Sequence, residues 1–302
     1  MLRQAENKVK IEGILSEINL KYGSYVKDGV TVDTIGGDIK VLVRQEINGE
    51  KVDLIIPVYM FSPKLTKKGS LNPAYESIEK VMKEYISIAS GGETAADRVR
   101  ITSGSIRMNE YPNQSGQIVS FPRVHTSFIS KATGEFRPEA SWSLEFAVSS
   151  IDYVTDNEGV ELEPKKLRVK VIVPQYGGKV DTMELYATNP RVIDAITSYW
   201  ENGKSYTAKG RLNFTTTTEE VVKEYDFGEQ DVSVRTISLS ELIITKGTQA
   251  PLEDDMAFNP VELSAALKEH KAELEALKDR AKAKMKATPA PSSANAAVDL
   301  GF

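Results

Sequence analysis

Cysteine is absent from the 302 residues, and the only histidines are His125 and His270. A Cys/His or Ser/His/Asp nucleophilic set, a thiolate metal site or a histidine cluster has little to be built from. No GxxxxGK[ST] phosphate loop occurs, and Gly36-Gly37 and Gly91-Gly92 read as turns. Glu253-Asp254-Asp255 could hold a divalent cation, but it lacks EF-hand spacing and reads as solvated linker. No enzyme activity, no cofactor and no metal are therefore expected. The remaining chemistry is that of aromatic rings interleaved with cations. Cations follow phosphates and rings stack on bases, at about 1–3 kcal/mol per base.

Such interleaving occurs in two stretches. In the first, Tyr22, Tyr25 and Lys27 read as a loop, Lys40, Arg44, Tyr59 and Phe61 lie on or beside a hairpin, and Arg107, Tyr111, Phe121 and Arg123 flank a later loop. The second stretch offers Lys170, Tyr176, Lys179, Tyr186, Arg211 and Phe214. Each phenylalanine has a second reading as core, since phenylalanine is commonly buried.

The elements that must position these residues come in two similar series. Residues 8–18 alternate with a phase shift after Gly13, which reads as a strand that bulges or bends there. Residues 38–44 and 51–59 read as strands joined at Asn48-Gly49, a strong hairpin signal. Asn72-Pro73 opens a helix carrying Ile78, Val81, Met82, Tyr85 and Ile86, and strands follow at 98–101, 105–109 and near 121–129. The second series has strands at 142–148, 167–173 and 183–186. A helix opened by Asn189-Pro190 comes next, then strands at 205–214 and 232–245. Arg107-Met108-Asn109 and Arg211-Leu212-Asn213 lie at matching places after the two helices. The order β-β-β-α-β-β describes the OB-fold. The expected class is all-β with minor helices: two tandem OB-like Greek-key barrels at 1–131 and 132–250, followed by a C-terminal helix and a flexible tail.

Residues 251–286 read as a linker and an amphipathic helix. Asn259-Pro260 starts the helix, and Leu263, Leu267, His270, Leu274, Leu277 and Ala281 mark a heptad-like seam. Two readings stay open for that seam: packing on the chain's own barrel, or self-association through residues 260–286. Residues 287–302 are rich in Ala, Pro and Ser and read as a disordered tether ending Val298-Asp299-Leu300-Gly301-Phe302.

Net charge is −5, unevenly spread: residues 1–131 carry +3, residues 132–247 carry −6 and the remainder −2. The first third is the better polyanion-binding surface, and the acidic loops of the second would repel phosphate. The polar N-terminus is not that of a signal peptide, and no apolar run reaches the roughly 20 residues of a membrane span. A chain without cysteine suits a reducing cytoplasm.

Two OB-like barrels, an Ala/Pro/Ser tether and an apolar-acidic tip resemble the single-stranded-DNA-binding proteins of bacteriophage replication. That resemblance implies non-sequence-specific binding of single-stranded DNA in phage replication or recombination, with RNA left open. It also implies that replication or recombination proteins dock on the tip, which Asp299, Leu300 and Phe302 would match. Bacterial relatives place several acids there, whereas here only one precedes the end. A structural or adaptor protein of a phage assembly is the alternative.

Overall fold

A computed structural model describes residues 2–287 apart from 48, 114 and 224–230. The expected hairpin turn at Asn48 and the whole tip thus lie outside the described residues. The class is all-β with minor helices. In the first half, β1 (Asn7–Lys27), β2 (Val30–Ile47) and β3 (Glu50–Pro63) precede α1 (Pro73–Glu84) and the single-turn α2 (Ile88–Gly91). β4 (Arg98–Pro112), β5 (Ile118–His125) and the two-residue β6 (Ser130–Lys131) follow. The second half has β7 (Glu139–Tyr153), β8 (Leu167–Pro174), β9 (Val180–Ala187), α3 (Pro190–Tyr199), β10 (Ser205–Lys223) and β11 (Asp231–Gly247). α4 (Pro260–Ala287) ends the described chain.

Strand pairing closes on itself twice. β1 pairs with β2 and β4, β2 with β3, β4 with β5, and β3 meets β5 in a short parallel bridge. The same circuit joins β7, β8, β9, β11 and β10, again closed by a parallel bridge. An antiparallel β1–β7 ladder links the circuits into one eleven-stranded sheet. In that ladder Val9 faces Trp142, and each also crosses a glycine of its own half: Gly104 for Val9, Gly210 for Trp142. Any side chain at 210 would meet the Trp142 ring at 2.4 Å. Equivalent residues thus pair across the junction, which relates the halves by an approximate two-fold axis.

Local chemistry explains the helix starts. The Asn72 and Asn189 side chains accept hydrogen bonds from Ala74 N and Arg191 N, and proline follows each at a position that needs no donor. Two details differ from the sequence expectation. β1 runs unbroken through Gly13, where a Cβ would lie 2.5 Å from the Leu42 carbonyl oxygen; the register shifts lie on either side, between Val9 and Ile11 against β4 and between Leu15 and Glu17 against β2. The Arg-x-Asn motifs do not correspond. Gly104 and Gly210 fix the register, so Arg107 matches Asn213 and Ser105 matches Arg211. The start of α4 packs on the body through buried Leu263 and Ala266, while Leu274, Leu277 and Ala281 are half-buried. No described helix is long and apolar enough to cross a membrane.

Candidate nucleic-acid interface

Strand alternation builds the site. On β3, Leu54, Ile56, Val58 and Met60 are fully buried, so Pro57, Tyr59 and Phe61 point to the opposite face. On β5, buried Val124 leaves Phe121, Arg123 and His125 on that face, and on β4 buried Ile106 does the same for Arg107, Asn109 and Tyr111. The Tyr59 and Phe61 rings lie parallel, 3° apart with centroids at 6.5 Å. Gly36 makes this possible, because a Cβ there would lie 2.9 Å from the Phe61 ring. Arg123 stands 4.4 Å over the Tyr59 ring and pairs with Asp38, while His125 meets the same ring edge-on at 5.1 Å. Tyr111 and Phe121 make a second edge-to-face pair at 6.2 Å.

Burial, helped by the cations Arg123 and Arg107, pushes the His125 imidazole down to about 4. It is therefore neutral at neutral pH, and the positive charge of the face comes from arginine. Lys40 and Arg44 stand at the same surface but are already held by carboxylates, Lys40 by Glu17 at 2.6 Å and Arg44 by Glu93 and Asp53. Glu93 first, then Asp53, raises the Arg44 pKa further.

Tyr22, Tyr25 and Lys27 correct the sequence expectation of a loop. They lie on β1 in the hairpin formed with β2, Tyr22 opposite Ile35 and Tyr25 opposite Val32. Their alternation places Tyr22 and Tyr25 on opposite faces of the hairpin. Tyr22 donates to Glu79 of α1 at 2.7 Å, which ties it to the helix and away from the Tyr59 row.

The second half places Tyr186 where the first places Tyr59, each opposite the second residue of its parallel bridge. Around Tyr186 the signs are reversed. Arg168 stands in the place of Asp38, and Glu241 in the place of Arg123. Lys166 covers the Tyr186 ring at 4.7 Å and pairs with Glu241; the phenol itself donates to Glu184 at 2.6 Å. Burial first, then Glu184, pushes that phenol well above its ordinary range. Lys170 faces Glu184 at 3.9 Å, and Lys179 pairs with Glu273 of α4 at 3.0 Å. Tyr176 is 81% exposed on a tight turn, remote in register from Tyr186. Arg211 is half-buried beside Gln45 and Glu46 of β2. Phe214 corrects another expectation: it is 2% exposed, equivalent in register to inward-facing Met108, and cannot stack on a base.

The two faces open onto a common cleft of about 1040 Å³. Pro57, Phe121 and Pro122 line one wall, Lys170 and Tyr186 the other, and Lys271 of α4 reaches its edge. His125, Asp38 and Lys271 were not among the sequence candidates. The Arg123-x-His125 alternation on a strand was the signal that could have found His125. Among the described residues, no group of three or more His, Asp or Glu is placed to hold a metal ion.

Fold and site together define an all-β protein with an aromatic and cationic sheet face. The YorF family profile matches residues 5–280, so the chain belongs to the YorF family. No curated protein matches the sequence. Among solved structures, the chain is similar to a deletion variant of the single-stranded DNA binding protein from Thermus aquaticus. That likeness has 12% identity and a TM-score of 0.50, and covers 83% of this chain and 97% of that one. It is a likeness of fold.

Proposed function

We propose that the two strand circuits are OB-type barrels and that the chain binds single-stranded DNA without sequence preference, chiefly on the first barrel. The observation that carries this reading is the row Phe61–Tyr59–Arg123 on the face of β3 and β5. It offers two parallel rings for bases and an arginine for a phosphate in one line. The similar fold of the Thermus aquaticus protein, named for binding single-stranded DNA, supports the reading. The barrels correspond to residues 1–131 and 132–250, and the strand continues through the shared cleft toward Lys170. In this reading the protein serves phage DNA replication or recombination, and Asp299, Leu300 and Phe302 recruit its protein partners.

A fluorescence titration with labelled oligo-dT at two salt concentrations tests it. Binding should weaken steeply with salt, by about 0.7 in slope for each phosphate neutralised. An absence of binding at micromolar protein and low salt overturns the proposal.

A further inference from the structure

Register equivalence exposes an insertion. Phe61 corresponds to Thr188 and the helix cap Asn72 to Asn189, so ten residues, 62–71, stand in the first half where the second has none. The insertion reads Ser-Pro-Lys-Leu-Thr-Lys-Lys-Gly-Ser-Leu, with three lysines and no acid. It is a built loop. Leu65 and Leu71 form a bridge, Thr66 N donates to Ser70 O at 2.8 Å, Gly69 N to Thr66 O at 2.9 Å, and Asn72 N to Lys64 O at 2.9 Å. Lys64 N also donates to Asp33 O at 2.8 Å, fastening the loop to the β1–β2 hairpin.

The loop begins where the aromatic row ends, since β3 carries Phe61 and terminates at Pro63. Its charges differ from those of the row. Lys40, Arg44 and Arg123 are all paired with carboxylates, whereas Lys64 faces Asp33 loosely, at 3.8 Å, and Glu79 through a weaker charge interaction. Lys67 and Lys68 are exposed and, among the described residues, have no carboxylate partner. A phosphate arriving there displaces no internal ion pair.

We infer that the inserted loop at 62–71 is a phosphate-binding extension of the single-strand path, gripping the nucleic-acid backbone through Lys67 and Lys68 as the strand leaves the Phe61 end of the aromatic row. This rests on the reading of that row as the single-strand face. A strand long enough to reach the loop gains its contacts, and one that covers only the row does not.

The test uses the full chain and oligo-dT of graded length at several salt concentrations. Lys67→Ala combined with Lys68→Ala should lower the salt slope for long oligo-dT by about 1.4, two phosphates at roughly 0.7 each. It should leave the shortest oligo that binds unaffected, and the Lys67→Arg/Lys68→Arg variant should restore the slope. An unchanged slope for long oligo-dT, with wild-type binding intact, overturns the inference alone. Equal weakening at every length also overturns it, since it would mark a diffuse field in place of a path end. If the wild-type chain binds no oligo-dT at all, the underlying reading falls and the inference with it.

Discussion

Tyr59 and Tyr186 occupy one position in two similar strand circuits, yet the acid and the arginine beside them have exchanged places. Asp38 and Arg123 flank the first tyrosine; Arg168 and Glu241 take their places beside the second. The first also continues into Phe61 and a lysine loop, where the second has Thr188 followed directly by a helix cap. One fold therefore carries two faces with internal ion pairs of swapped sign, and only the first adds a second parallel ring and a lysine-bearing loop. The difference lies in a few outward positions, because inward positions are constrained by the core while outward ones are free to change.

The largest test of this asymmetry is aromatic. Replacing Tyr59 and Phe61 together with alanine should weaken oligo-dT binding about 100-fold, two stacking positions lost, whereas Tyr186→Ala should cost less than about threefold. Equal losses in a titration would mean two equivalent sites. A second contrast concerns the junction glycines. Gly210→Ala drives a methyl into the Trp142 ring and the Ile243 carbonyl and should cost about 3 kcal/mol in denaturant unfolding. Gly104→Ala meets Val9 at 3.2 Å and should cost about 1 kcal/mol or less. Similar midpoints for the two variants would show that the junction relaxes more freely than its packing implies.

Charge offers a smaller contrast. Arg123→Gln should weaken oligo-dT binding by about 1 kcal/mol, while Glu241→Gln, which can still bond Lys166 and Asn213, should strengthen it by about half that. Strengthening in both or weakening in both would break the comparison.

A further contrast is in pH. Burial raises the Asp181 carboxyl to about 6, so the native state holds a proton that the unfolded chain has released, and its contribution grows as pH falls from 7 toward 4. His125, held down to about 4, works the other way, and stability is lost as pH falls from 6.5 to 4. Asp181→Asn should therefore leave a stability that only declines across that window, by about 1 kcal/mol after allowance for solvent screening. Parallel melting profiles for variant and wild type would remove Asp181 from the account.

Much of this architecture was legible in the chain. The paired Asn-Pro caps and the strand periodicities reflect local physics, in which a side chain bonds its own backbone or alternates across a sheet. The outer half of the β1–β2 hairpin is hard to see in sequence because it is exposed on both faces, so no buried apolar stripe marks it. Asp28-Gly29, a strong turn signal, lies at its tip, where Asp28 adopts a positive φ of 50°. The Arg-x-Asn motifs share residue types but not register, which only hydrogen bonding between distant strands defines.

The sequence by itself determined the all-β class, the helix starts and the cation–aromatic composition of the first third, since these depend on neighbours within a few residues. The tertiary structure alone decided that Phe214 is core, that Tyr22 is held by Glu79, that Tyr59 stacks with Phe61 under Arg123, and that the charges around Tyr186 are inverted. Each of those facts depends on elements separated by tens of residues meeting in one geometry. No local pattern encodes which carboxylate will be brought to which cation.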